Sequence, residues 1–293
     1  MGSALVLLWV ATTGVYLLLH VGLGAPRSSD IPSENQDVVR RIQSYYDESY
    51  LDFLSRLVGE RSLGRSFFSL QPVGEVVLDA SAASISLLLF GFFFASLVAI
   101  PLGIVWGLRR PGRLTGPMRA LSAVLFGLST FSFALHLIYW VGFKWGLLPL
   151  GGYCDLVNPS TDCGGFTDWA RALILPGISL GIFFAAVYLR LVSALVRNAR
   201  QARKNRDATA RRRAALSYVK LLGRDFGWAL GFALFVEAIF GIPGLGRTLL
   251  TGLEGNDAPV IEGVLIFATL LAMSVNLVVD LVVAAADPRF RRF

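Results

Sequence analysis

Long apolar blocks constrain the fold of this chain more than any other feature of its sequence. A helix needs roughly 20 apolar residues to cross the hydrocarbon core of a membrane. Six blocks reach or approach that length, the fifth being the shortest: Ala4–Leu23, Ala80–Leu108, Met118–Phe143, Ala170–Val196, Phe226–Ile242 and Pro259–Ala286. A soluble helical protein would interrupt such blocks with polar faces, and only 16% of the residues here are charged. The sequence therefore predicts an all-α membrane protein with six transmembrane helices.

The blocks also predict how the chain is divided. No Lys or Arg precedes the first block, so we interpret residues 1–24 as a retained first transmembrane helix and not as a signal peptide. Residues 25–79 form an extracytoplasmic helical segment, and residues 80–287 form a five-helix core. Residues 288–293 form a cytoplasmic tail.

Positive charge predicts the orientation of the helices, because cytoplasmic links carry an excess of Lys and Arg. The link between blocks two and three, together with Arg119 just after it, holds four arginines and no acid, and the link over 197–225 holds ten basic residues against two acids. The tail adds three arginines, whereas residues 24–79 hold nine acids and six arginines. We therefore expect the basic links, the tail and both chain termini in the cytoplasm.

The extracytoplasmic segment carries a helical pattern. Ser33 followed by Gln36 is typical of a capping box. Apolar residues then recur every three or four positions, as on one face of an amphipathic helix: Val38, Ile42, Tyr46, Tyr50, Phe53, Leu54 and Leu57. We expect this helix to cap the transmembrane bundle, with a dedicated substrate site as the alternative.

The two cysteines, Cys154 and Cys163, both lie in a link predicted to face outward. An oxidising exterior favours a disulfide between them. Two unpaired thiols are the alternative, and two cysteines without neighbouring His or acidic residues make a poor metal site.

Several kinds of chemistry have no motif in the sequence. The only lysines, Lys144, Lys204 and Lys220, are followed by Trp, Asn and Leu, so none belongs to a phosphate-binding Gly-Lys-Ser/Thr loop. His20 and His136 lie in apolar blocks without a metal-binding pattern. We therefore expect no enzymatic activity and no cofactor in this chain, and any ATP and Mg²⁺ must be bound by partner subunits.

Charged residues inside spans are costly and mark function or helix pairing. Arg190 lies in block four, Glu237 in block five and Asp280 in block six. Asn276 precedes Asp280 by one turn, a spacing suited to interhelical hydrogen bonds. A proton-coupled carrier would need more such groups deep in the membrane.

Four local patterns in the same order along the chain resemble one family. They resemble the inner-membrane permease subunits of bacterial and archaeal dipeptide, oligopeptide and nickel ABC importers, most closely the DppB/OppB-like type. The patterns are Leu63–Phe67, Ile100–Gly103, Glu237–Arg247 followed by Asp257–Gly263, and Asn276 with Asp280 followed by Asp287–Arg291.

The resemblance implies the fold of a type I ABC importer permease, with an external helical segment after the first helix. It also implies a translocation path or gate near the turn that Pro243, Gly244 and Gly246 introduce after block five. The residues expected there are Glu237, Phe240, Pro243, Gly244, Gly246, Asn276 and Asp280. For Asn276 and Asp280, interhelical hydrogen bonding is the alternative role.

The same resemblance implies that the Arg-rich link contains a short coupling helix that docks on an ATPase. The expected ATPase contact spans residues 205–222, within a cytoplasmic coupling loop over 197–225, and we call residues 207–216 the coupling segment. Its candidate contact residues are Asp207, Thr209, Ala210, Arg211, Arg213, Ala214, Ala215 and Leu216. The segment departs from the family pattern, since an alanine stands where glycine is usual. The alternative is that these arginines anchor the helix ends in anionic lipid.

The family further implies a prokaryotic inner-membrane protein that works with a second, DppC/OppC-like permease, two ATPase subunits and an extracytoplasmic substrate-binding protein. The expected function is ATP-driven import of peptides or related small solutes. An ion-coupled carrier working alone, or a non-transporting scaffold derived from a permease, are the alternatives.

Overall fold

A computed structural model describes residues 2–23, 36–60, 62–108, 116, 120, 124, 130–154, 165–204 and 210–286. These residues are almost entirely helical. The helices are α1 Gly2–Leu17, α2 Gln36–Tyr46, α3 Tyr50–Leu54, α4 Val73–Leu108, α5 Thr130–Leu137, α6 Phe166–Lys204, α7 Ala210–Phe240, α8 Leu245–Glu254 and α9 Ala258–Ala286. Wider π-helical turns extend α1 over Leu18–Leu23, α3 over Ser55–Gly59 and α5 over Ile138–Lys144.

Three helices are long and apolar enough to cross a membrane: α4, α6 and α9. A fourth candidate arises if α7 and α8, which are separated by a short break, count as one span. Block one corresponds to a shorter apolar helix over Leu8–Val21, and ten residues in the first half of block three lie outside the described residues. The chain is thus helical with three or four span candidates, and the full set of six stays a prediction.

The described residues divide into two compact units. The first contains Met1–Ala82 and Pro243–Met273, and the second contains Ala83–Ile242 and Ser274–Phe293. In the first unit, one apolar cluster joins α1, α2, the loop after α3 and α9 through Leu19, Ile42, Tyr45, Phe67 and Ile261. Burial of these large side chains away from water holds the external segment on the helix ends.

In the second unit, small residues let α4 and α6 pack closely. A Cβ added at Gly103 would lie 2.7 Å from Val192, and one at Gly107 would lie 2.6 Å from Val196. Glycines four residues apart permit such close backbone approach between membrane helices. In its most apolar window, 72% of α6 is buried, against 28% for α4 and 11% for α9, so α6 is the most enclosed of the three.

The amphipathic pattern in the external segment is confirmed, but not as one helix. Ile42 and Phe53 are buried and the other predicted apolar residues are half-buried, yet the helix is interrupted at residues 47–49. The carbonyl of Glu48 accepts a hydrogen bond from the Tyr16 hydroxyl at 3.0 Å. That contact from α1 takes the place of a helical bond at the interruption. Ser33 of the predicted capping box lies outside the described residues.

The separate short coupling helix stays a prediction, because residues 205–209 of the link lie outside the described residues. Residues 197–204 continue α6, and residues 210–225 are the first turns of α7, which runs unbroken to Phe240. The reason is compositional. No Gly or Pro occurs from residue 198 to 222, and Ala, Arg and Leu are strong helix formers.

Candidate functional site

The end of α7 is built by a glycine and a proline. Gly241 has φ +67, the left-handed conformation in which glycine commonly ends a helix. The amide of Ile242 then donates to the carbonyl of Glu237 at 2.9 Å, which is the outer bond of a Schellman motif. Pro243 follows, and it cannot continue the helix. We call residues 241–244 the break; its position at the predicted Pro-Gly turn is confirmed.

The last carbonyl of α7 is held by a neighbouring loop. Gly152 donates its amide to the Phe240 carbonyl at 2.7 Å. A Cβ on the preceding Gly151 would lie 2.5 Å from the same oxygen, so only glycine allows this approach. The described part of this loop also contains Cys154, which is disulfide-bonded. Its predicted partner, Cys163, lies outside the described residues.

Beyond the break, the first unit holds a small cavity beside the start of α8. Gly244 begins α8 in an extended conformation, and its carbonyl accepts the Thr248 amide and hydroxyl at 2.9 Å each. Gly246 is buried, whereas Pro243 is exposed. A cavity of about 440 Å³ is lined by Pro243, Thr248, Thr251 and Asp257 among others.

Glu237 lies one turn before the break and is only 1% exposed. The hydroxyl of Ser84 on α4 donates to its Oε1 atom at 2.7 Å. Buried acidic groups in spans are stabilised by such partners. Glu237 therefore ties the end of α7 to α4 within the second unit, and Phe240, also buried, lies on the next turn.

Asn276 and Asp280 both lie on the second half of α9. Asn276 is half-buried, whereas Asp280 is exposed. This part of α9 packs against α7 at Gly223, where an added Cβ would lie 2.9 Å from Val279. The two residues thus share one helix as predicted, and their role in a path stays a prediction.

Part of the coupling segment lies outside the described residues. Asp207 and Thr209 do so, and the side chains of Ala210 and Arg211 are not described. Arg213 and Ala215 are exposed, while Ala214 and Leu216 are half-buried. Ala214 and Ala215 line a cavity of about 1000 Å³ whose other walls are the ends of α4 and α6.

A charged cluster in the first unit was not predicted from the sequence. Arg56 donates to both carboxylate oxygens of Glu48, at 3.0 and 3.1 Å, and to Glu262 on α9 at 3.3 Å. The Tyr45 hydroxyl donates a short hydrogen bond to the other Glu262 oxygen. We call Tyr45, Glu48, Arg56 and Glu262 the outer cluster. Glu262 lies near the start of block six. An acidic residue inside an apolar block is the one sequence feature that indicates a buried polar contact there.

Burial and neighbouring charges keep Tyr45 and Arg56 of the outer cluster protonated. Burial, and then the neighbouring Glu262 carboxylate, raises the pKa of Tyr45 well above its ordinary value, so the phenol stays protonated and donates. Burial alone would lower the pKa of Arg56, but its hydrogen bonds to Glu48 and the charge of Glu262 raise it overall. Such bidentate, charge-assisted bonds are the strong ones, so the cluster fastens the external segment to α9.

Asp257 makes a second fastening in the same unit. Its carboxylate accepts the Ser66 hydroxyl at 2.5 Å and the Phe67 amide at 3.2 Å. The Leu63–Phe67 and Asp257–Gly263 patterns thus meet, which gives both a structural explanation. Among the described residues, no group of three or more His, Cys, Asp or Glu side chains could hold a metal ion.

Comparison with known proteins identifies relatives over most of the chain. Residues 209–292 match the family described as binding-protein-dependent transport system inner membrane component. The chain is 31% identical over 260 residues to the dipeptide transport system permease protein DppB of Escherichia coli, covering 78% of this chain and 76% of that protein. It is 29% identical over 272 residues to the di/tripeptide transport system permease protein DppB of Pseudomonas aeruginosa, covering 83% and 80%.

Proposed function

Since the chain belongs to the family of binding-protein-dependent transport system inner membrane components, we propose that it forms half of a peptide translocation path whose gate is moved by α7. It is the permease subunit of an ABC transport system in the inner membrane, and it is a non-catalytic membrane component. Its relatives are named for dipeptide and di/tripeptide transport, and these names support peptides as the cargo.

The continuity of α7 carries this proposal. The helix begins at Ala210, within the coupling segment, and ends at Phe240, directly before the break. At a rise of 1.5 Å per residue, its 31 residues span roughly 46 Å. We infer that α7 moves as one body, so that a push on the end at Ala210 reaches the break.

Two further contacts support a gate at the break. The Ser84–Glu237 hydrogen bond and the Gly152–Phe240 hydrogen bond fix the end of α7 to α4 and to the disulfide-bonded loop. A movement of α7 must strain or release both. At the other end, the same movement shifts Ala214 and Ala215 and so changes the 1000 Å³ cavity between the helix ends.

The cycle we propose is alternating access. A second permease of the DppC/OppC type completes the path, and two ATPase subunits press on the coupling segments when they bind ATP. An extracytoplasmic binding protein delivers the peptide. The basic links support six spans with both termini in the cytoplasm. In that orientation the coupling segment faces the ATPase subunits.

Reconstituted transport tests the function. The chain is placed in proteoliposomes with a DppC/OppC-type permease, the ATPase subunits and a binding protein, and uptake of a labelled dipeptide is measured with ATP, without ATP, and with an imposed proton gradient. We expect uptake that requires ATP and the ATPase subunits. Uptake by this chain alone on a proton gradient would identify an ion-coupled carrier, and absence of uptake in an assembled complex that hydrolyses ATP would identify a scaffold.

A further inference from the structure

A second cavity of the first unit, distinct from the break, lies beside the outer cluster. It has a volume of about 450 Å³ and is lined by α2, the turn after α3, the loop before α4 and the start of α9. Small-molecule sites have volumes of roughly 300–1,000 Å³. The cavity is therefore large enough for a short peptide, or for the end of a longer one.

The charges around this cavity do not cancel. Arg41, Arg56 and Arg65 line it together with Glu48. Arg56 is engaged by Glu48 and Glu262. Arg41 and Arg65 are exposed, and within the part of the chain that the structure describes neither forms a salt bridge. Even when Glu262 is counted, three arginines face two acids, so the cavity favours an anionic group.

Arg56 lines the cavity and is already paired with Glu48 and Glu262, so Arg41 and Arg65 are left to a ligand. A Cβ at Gly64 would lie 3.2 Å from Nη1 of Arg56, and Gly64 has φ +81. Glycine at this position therefore lets the loop close over the guanidinium and places the next residue, Arg65, beside the cavity. Phe67, Leu70 and Pro259 supply an apolar wall.

On the premise that the chain imports peptides, we propose that this cavity binds the C-terminal carboxylate of a short peptide between Arg41 and Arg65. The planar guanidinium matches the geometry of a carboxylate and binds it in a bidentate manner. Every unmodified peptide carries this carboxylate whatever its sequence. The site would thus recognise peptides as a class at the face that we expect to lie outside the membrane.

The test compares two probes that differ in one charge. The full-length chain in lipid nanodiscs is titrated with dialanine and with dialanine amide, and binding is measured by calorimetry. Loss of a hydrogen-bonded charge pair weakens binding by roughly tenfold or more. We expect that loss for the amide with the unaltered chain, and for dialanine with Arg41→Gln or Arg65→Gln.

Arg40→Gln is the matched control, because Arg40 is exposed on the same helix but does not line the cavity. It should bind dialanine as the unaltered chain does. Equal binding of the acid and the amide, equal weakening by Arg40→Gln, or no binding at about 1 mM dialanine would overturn the proposal.

The outcome is separable from that of the proposed function, since binding is measured without ATP or partner subunits. If uptake persists and Arg41→Gln and Arg65→Gln bind dialanine normally, the proposed carboxylate site is wrong and the transport proposal stands. Binding with the expected selectivity in a chain that transports nothing would overturn the transport proposal alone.

Discussion

Replacing Lys220 by proline should uncouple ATP hydrolysis from transport. Lys220 is an exposed residue in the interior of α7. A proline there removes the bond from its amide to the carbonyl four residues earlier and clashes with that carbonyl, at a cost of about 3 kcal/mol. The 20 helical steps from Lys220 to Phe240 span roughly 30 Å. A kink of about 20° would therefore displace one end of that stretch by roughly 10 Å.

The assay measures ATP hydrolysis and peptide uptake in the same proteoliposomes. We expect Lys220→Pro to retain ATP hydrolysis within about twofold and to lose more than about tenfold in uptake, a change of about 1.4 kcal/mol or more in the effective barrier. Lys220→Ala controls for the lost charge. Arg212→Pro controls for proline itself, because residue 212 lies in the first turn of α7, where the amide has no helical partner.

The reasoning is refuted if Lys220→Pro assembles, as judged by gel filtration with its partners, and imports peptide at the rate of Lys220→Ala. It is equally refuted if Arg212→Pro and Lys220→Pro lose uptake to the same extent, since the interior position would then have no special role.

Three further substitutions, two of them paired with a control, test helix packing by thermal unfolding in detergent. Glu237→Leu should destabilise the chain by about 1–3 kcal/mol because it removes the acceptor of the Ser84 hydroxyl, whereas Glu237→Gln keeps an acceptor; equal midpoints for the two would contradict this role. Gly151→Ala should lower the midpoint, since its Cβ would lie 2.5 Å from the last carbonyl of α7, and an unchanged midpoint would show that the loop does not hold the helix end. Gly107→Ala should lower the unfolding midpoint because it disturbs the close α4–α6 contact. Its control, Gly74→Ala, has open space around it and should be neutral or stabilising by up to about 1 kcal/mol. A midpoint lower for Gly74→Ala than for Gly107→Ala would overturn the packing argument.

Local pattern is sufficient to locate the three long apolar helices α4, α6 and α9 and the break. The run Gly241-Ile242-Pro243-Gly244 predicts the end of a helix, because glycine adopts the left-handed conformation and proline cannot continue the helix. The sequence also predicts that α7 is continuous. Residues 210–222 contain neither Gly nor Pro, a composition that favours one uninterrupted helix.

The outer cluster could not be derived from spacing. Arg56 and Glu262 are 206 positions apart, and Tyr45 and Glu262 are 217 apart. No periodicity connects such residues, since only the fold brings them together. The interruption of the external helix has the same origin, because the Tyr16 hydroxyl that binds the Glu48 carbonyl lies 32 positions away.

The rigidity of α7 is the central claim, and a spin-label distance tests it most directly. Labels replace Ala215 and Ala238, which are exposed near the two ends of the helix, and the distance between them is measured by double electron–electron resonance in the assembled complex. The 23 intervening steps correspond to about 35 Å. We predict one narrow distance distribution that is the same without nucleotide and with ATP bound. A shift of more than about 5 Å, close to one helical turn, would show that α7 bends or unwinds during the cycle, and that it does not carry movement from the coupling segment to the break.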